Sequence, residues 1–448
     1  MPALEFETSG GSSGRAVNMD QLISRGAQLF FAETFRGNGR TCGSCHPASN
    51  NFTIDPAFIA TLPANDPLFV AEFNPALAQL ERPALMRQFG LILENLDGLE
   101  DPTNKFVMRR GAPHARHAGV AAAGPDPATD AGGDDGLVGR RGARTGSLRE
   151  FATGAVIQHF TRRLNRVEGT DFRLPRSREL DAMEAFQLSL GRERDFNLAN
   201  TTFLDTNVET GKQLFVNGNP DPTQGGGRCA VCHDNGGALL QNVRTNNNFN
   251  TNVEDVPHPA RQVQNFPIDG GFGRTPANAD GSFGNRAFNT ASVVEAADTP
   301  PFFHNNVVTT LRGVVDFYTG PEFNNPRPLA LQFSFNETQR NQITNFMRGI
   351  NTLQNIDVAT RELREILTNR RDPRREQDTR LQTAFGDTTD GINVLNQGGI
   401  YPDAVAKLTE ARNLIAQAQQ AGGSQRRTLV QQAIGKLNEA RALVATSS

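Results

Sequence analysis

The chain has 448 residues, with 45 Lys and Arg against 48 Asp and Glu, a net charge of −3 and a pI near 6.2. It lacks the basic footprint that a nucleic-acid partner requires, and no apolar run approaches the ~20 residues that span a bilayer. It is long enough for two or three domains with real cores. Its 30 Phe stand beside two Tyr and no Trp, so few side chains give up an electron readily.

Residues 1–18 are polar and rich in Gly and Ser, a tail with neither the basic nor the apolar region of a signal peptide. Residues 20–35 place Leu22, Ile23, Ala27, Leu29, Phe30 and Phe31 at helical spacing. The run RGAQLFFAETFRGNGRTCGSCH then ends in Cys42-Gly-Ser-Cys45-His46. Prolines at 56, 63, 67 and 75 break residues 50–80 into loops, with short helices predicted at 66–72, 74–80 and 83–89. Residues 115–136 are a low-complexity Ala/Gly/Pro/Asp insert, read as a surface loop. Ser147 and Glu150 form a capping-box pattern that opens a helix through SLREFATGAVIQHF. A second helix is predicted over 177–191, ended by Gly.

The run TGKQLFVNGNPDPTQGGGRCAVCH ends in Cys229-Ala-Val-Cys232-His233 and repeats the first unit: a Gly and a Leu-Phe pair on a helix, a Gly- and Arg-bearing loop, then the motif. Residues 235–290 are irregular. Ile343, Phe346, Met347 and Ile350 mark a helix within 329–353. Residues 403–421 and 426–445 form an αα-hairpin by pattern, expected to be accessory: Leu408, Leu414, Ile415, Val430, Ile434 and Leu437 must bury against each other, the body, or a partner or second copy. No segment carries a strand pattern. The fold expected is mainly α: a tail over 1–18, a first motif-bearing domain over 19–200, a second over 201–360, and a C-terminal extension with the hairpin over 361–448, the domains carrying long irregular loops.

Cys-x-x-Cys-His is the attachment signature of a c-type haem. Two thiols about one helical turn apart can each form a thioether with a haem vinyl group, and the adjacent imidazole reaches the iron. Cys42, Cys45 and His46 are assigned to haem 1, and Cys229, Cys232 and His233 to haem 2, so that 19–200 and 201–360 are expected to be two c-type cytochrome domains. The alternative, a zinc site built from two Cys-x-x-Cys pairs, leaves both histidines and the repeated helix unexplained. Covalent haem attachment normally happens outside the cytoplasmic membrane, so a periplasmic or exported protein is expected.

The stretch FNTASVVEAADTPPFFHNNVVTTLRGVVDFY, residues 288–318, resembles the second-haem segment of the bacterial di-haem cytochrome c peroxidases and the related MauG enzymes. In that family a Thr-x-Pro-aromatic-aromatic-His run precedes the axial ligand of the second haem by 14 residues. Counting 14 from His304 reaches Tyr318, where the peroxidases have Met and MauG has Tyr. The resemblance therefore implies that His304 belongs to the cofactor region and that Tyr318 is the distal ligand of haem 2; the plainer reading is a Tyr on an amphipathic helix. It further implies a Ca²⁺ between the domains, held partly by carbonyls of Thr299 and Pro301. The first domain departs from the family. The inter-haem Trp is absent from LVGRRGARTGSL, Thr161 stands at the catalytic Glu, Ala155 at its preceding Pro, and Leu62 at the resting distal His. His159 is then the candidate distal group of haem 1, as a sixth ligand, an acid–base group, or a core His bonded to a carbonyl. Glu168 and Asp171 lie just beyond it and are candidate acids, His114 and His117 begin the insert, and His258 lies between prolines. The resemblance implies a redox enzyme that uses haem 1 for peroxide chemistry and haem 2 for electron relay. It would work with a small cytochrome or copper protein as partner. A non-catalytic electron-transfer protein with both haems six-coordinate, and a MauG-like oxidase of a protein or organic substrate, are the alternatives.

Overall fold

The computed structural model describes residues 19–95, 107–111, 148–190, 196–241, 248–266, 268–269, 286–325, 331–369 and 373–447. The tail, the 115–136 insert, His114, His117 and Ser147 lie outside them. The described fold is mainly helical, as the apolar spacing predicts, and none of its helices is long and apolar enough to cross a membrane. It divides into two compact units, neither continuous in sequence. Unit 1 comprises 1–195, 238–291 and 301–309; unit 2 comprises 196–237, 292–300 and 310–448.

In unit 1, α1 (Met19–Ala32) leads through a tight loop to the one-turn α2 (Cys42–Cys45). Short turns at Pro67–Phe69, Val70–Phe73 and Pro75–Leu77 follow, then α3 (Pro83–Phe89), which starts on Pro and stops at the left-handed Gly90. Helices α4 (Leu148–His159) and α5 (Ser177–Leu190) complete the frame. The α1/α5 crossing is close because residue 26 is Gly: a Cβ there would lie 1.9 Å from the Ala182 carbonyl oxygen. Leu29, Phe35, Val156, Phe160 and Met183 form the core between these helices.

In unit 2, Asp205 caps α6 (Thr206–Asn217) by accepting from the Asn207 and Val208 N–H groups. After α7 (Leu311–Thr319) come α8 (Glu337–Thr368), α9 (Arg374–Gly398), α10 (Pro402–Gln420) and α11 (Gly423–Val444). A reciprocal Asn336–Gln339 box opens α8. Nothing breaks that helix before Thr368, so it runs through the boundary expected at 360/361. The predicted hairpin is there as α10 and α11, but it does not stand apart. It completes a bundle with α8 and α9, and Leu408, Ile415, Val430 and Leu437 are fully buried. The chain end closes the unit as a strand, Ala445–Ser447, antiparallel to Thr201–Phe203. This pair and Asn248–Phe249 with Phe288–Asn289 are too short for alternation to announce them in sequence, and Leu91–Asn95 with Val107–Gly111, LILEN and VMRRG, does not alternate.

Candidate functional site

The two Cys-x-x-Cys-His motifs are built alike. In the first, Ser44 accepts from the Thr41 N–H at 3.0 Å, and the His46 N–H closes the turn on the Cys42 carbonyl at 2.9 Å. In the second, a 3₁₀ turn over Cys229–Val231 closes with the His233 N–H on the Cys229 carbonyl at 3.0 Å. His46 and His233 share one backbone conformation, φ/ψ of −125°/60° and −120°/59°. Each turn puts its two thiols on one side of the chain.

Past each His two left-handed residues reverse the chain: Asn51 and Phe52 at φ 53° and 57°, Asn235 and Gly236 at 53° and 75°. Phe52 is too bulky to occupy that region without strain. The reversal brings a carbonyl back to each imidazole. His46 Nδ1 lies 2.8 Å from the Phe52 oxygen, and His233 Nδ1 lies 3.2 Å from the Gly237 oxygen. A carbonyl only accepts, so Nδ1 carries the proton and the lone pair of the neutral ring is on Nε2. A metal-bound His has this arrangement.

The thiols are held neutral. Burial pushes Cys42 and Cys229 up to about 12, each raised further by its partner thiol, and pushes Cys45 and Cys232 up to about 11. A redox dithiol needs a depressed thiol pKa; these shifts run the other way. Cys42 packs against Phe30, Phe52 and Phe186, and Cys45 against Ile54, Leu68 and Met86. Leu62 belongs to the same apolar cluster as Cys45. None of the four cysteines is in a disulfide. Among the described residues no three His, Cys, Asp or Glu side chains converge as a cage for a bare metal ion.

His159 ends α4, and Asn38 staples that end to the loop before Cys42. The Asn38 Nδ2 donates to the His159 and Thr161 carbonyls, both at 2.9 Å, and its N–H donates to the Phe160 carbonyl at 2.8 Å. Burial pushes the imidazole down to about 3, with the charges of Arg40, Arg166 and His46 adding to the effect. His159 is thus a neutral base within electrostatic range of His46. The sequence reading missed Arg40 and its buried partner Glu81. Arg40 donates to Glu81 at 3.2 Å and to the Pro67 and Leu68 carbonyls, fixing the residue two before Cys42. The repeated Arg ahead of each motif (Arg40, Arg228) was the available signal. Thr161 is fully buried and donates to the Arg163 carbonyl.

In unit 2 the Tyr318 ring packs among Phe317, Phe323 and Phe333 at centroid distances of 5.2, 5.2 and 6.2 Å. Burial, and then the nearby Cys232 and Cys229, raise its phenol well above the usual tyrosine range. The second motif therefore has Tyr318 in its neighbourhood. His304 belongs to unit 1, where its Nε2 meets the Glu254 carboxylate at 2.7 Å and its ring stacks on Phe288 at 3.5 Å. His258 is buried, with one nitrogen on the Asn305 carbonyl and the other accepting from the Ala260 N–H, so both nitrogens are engaged with backbone. Thr299, whose hydroxyl donates to the Glu295 carbonyl, belongs to unit 2, and Pro301 to unit 1.

No protein-family model, curated protein or solved structure matches the chain.

Proposed function

We propose that the chain is a di-haem c-type cytochrome of the cytochrome c peroxidase/MauG superfamily, a redox enzyme with peroxide chemistry at haem 1 and electron relay through haem 2. The observation that carries this reading is the duplicated motif: two neutral thiols on one turn, and an imidazole whose Nδ1 is tied to a returning carbonyl. That donor set fits a haem held by two thioethers and one axial His, and it does not fit a thiolate cage for zinc. Bound haem would supply an iron that changes oxidation state and, with an open face, reacts with peroxide. His46 and His233 would hold the two irons, and Tyr318 would be a further ligand to the iron held by His233. The calcium site at Thr299 and Pro301, a small redox protein as partner and a location outside the cytoplasmic membrane belong to the same reading.

One observation favours the six-coordinate relay as a second reading. At the first motif the described residues offer a neutral imidazole, His159, two residues before Thr161, which stands where the family has its carboxylic acid, and Asp171 is committed elsewhere. A neutral imidazole ligates iron; a peroxidase needs an open face and an acid–base group. The spin state of each iron in the oxidised protein separates the two. With His159 as sixth ligand, haem 1 is low-spin as isolated and His159→Ala makes it high-spin, while Tyr318→Phe changes only the other iron. A high-spin haem 1 in the parent excludes ligation by His159 and rules out the relay. Spectra unchanged by both substitutions would remove both ligands from the scheme.

A further inference from the structure

The bundle of unit 2 contains a feature that the haem reading does not use. Between α8 and α11 lies a groove of about 330 Å³. Its α8 wall carries Asp357, Thr360, Arg361, Arg364 and Glu365, one face of the helix by spacing. Asn438 and Arg441 face them from α11.

Two facts set this groove apart from an ordinary solvated face. The first is Thr360. A threonine inside a helix usually returns its hydroxyl to the carbonyl four residues back, as Thr344, Thr352, Thr368, Thr388 and Thr409 do in this bundle. Thr360 does not. It is 6% exposed, and its buried Oγ1 has no hydrogen-bond partner. Such a group costs about 1–3 kcal/mol unless something satisfies it. The second is the charge. The groove's carboxylates are already engaged: Asp357 with Arg441 at 3.0 Å, and Glu365 with Asn369 at 2.8 Å. Arg361 has only a 3.3 Å contact with its neighbour Glu362, which itself pairs with Arg380. Arg364 is exposed and has no side-chain hydrogen bond or ion pair among the described residues.

We propose that this groove is a binding site for a phosphate-bearing small molecule, its oxyanion held by Arg361 and Arg364 and accepting the Thr360 hydroxyl, with the Asn438 amide at the rim. Guanidinium groups match phosphate oxygens in pairs, and the volume leaves room for an organic remainder beyond the phosphate.

Calorimetric titration of the full-length, haem-loaded protein at constant ionic strength tests this. Inorganic phosphate and glycerol 3-phosphate are the probes, with glycerol and chloride as controls. Saturable binding of either phosphate, one per chain, is expected. Tighter binding of the ester would identify an esterified ligand, and equal binding a free phosphate. Arg364→Ala should weaken binding at least about tenfold and leave the haem spectra and thermal midpoint as in the parent. Thr360→Val should also weaken it, and Thr360→Ser should restore it. Absence of saturable binding of either probe, or parental affinity in both Arg364→Ala and Thr360→Val, would overturn the assignment.

Discussion

Asp171 illustrates how a single contact decides what a residue can do. By sequence it is a candidate acid beside His159. In the structure its carboxylate is 1% exposed, and it accepts from the Arg163 Nε at 2.7 Å and from the Val167 N–H at 2.9 Å. Burial alone would raise its pKa. The Arg163 and Val167 hydrogen bonds outweigh that and hold it below the ordinary 3.8. A lowered folded-state pKa means that the stabilisation is fully present above 3.8 and is lost as pH falls through the folded value. Asp171→Asn should therefore cost about 1–2 kcal/mol at neutral pH, and its deficit should shrink as pH falls below 3.8; urea midpoints at pH 7 and in acid measure both. A parent and variant with the same difference at every pH would show that the carboxylate charge does nothing here. The same scale explains what sequence could not show about His159. Its placement depends on Asn38, 121 positions away, and no local pattern encodes that bond. The Cys-x-x-Cys-His sites were legible because spacing alone specifies one turn, whereas the returning carbonyls of Phe52 and Gly237 depend on left-handed residues that only the folded loop reveals.

The repeated helix explains itself once packed. Gly26-x-Gln-Leu-Phe and Gly211-x-Gln-Leu-Phe occupy equivalent places ahead of the two motifs. In each, the Gly is the point of closest approach to another helix: Gly26 to Ala182 of α5, and Gly211 to Gln342 of α8, with 1.9 Å from a built Cβ to the carbonyl oxygen in both cases. The Leu and Phe that follow, Leu29 and Phe30 or Leu214 and Phe215, are buried. The repeat is thus a docking element that carries each motif on a fixed helix crossing. Gly211→Ala should push α6 off α8 and cost about 1–3 kcal/mol, read as a lower thermal midpoint for unit 2. A midpoint equal to the parent's would mean that the crossing relaxes freely and that the Gly serves another purpose. The apolar period of these helices was readable along the chain. Their partners were not, because helix pairing is decided by side chains more than a hundred residues apart.

At the scale of the whole molecule, the C-terminal helices change the account most. Pattern alone makes 403–445 an accessory hairpin. Packing makes it part of unit 2: α10 and α11 bury their stripes within the bundle, Arg427 donates to the Ile366 and Leu367 carbonyls of α8, and the final strand pairs with Thr201–Phe203 immediately ahead of α6. The Tyr401 hydroxyl accepts from the Asp205 N–H at 3.2 Å and adds a second tie to the cap of that helix. If the motifs carry haem as proposed, deleting 403–448 should therefore disturb the one at Cys229–His233 while leaving the one at Cys42–His46 as it was, in contrast to the silence expected of an accessory piece. Visible spectra of the truncated protein identical to the parent's would restore the accessory view. The proposed function rests on one claim, that both motifs carry covalent haem. Mass spectrometry of the denatured chain, after expression with a haem-attachment system, measures it directly. The expected result is the polypeptide mass plus two haems, falling by one haem in Cys42→Ala/Cys45→Ala and by one in Cys229→Ala/Cys232→Ala. The bare polypeptide mass, with zinc in the metal analysis, would contradict it.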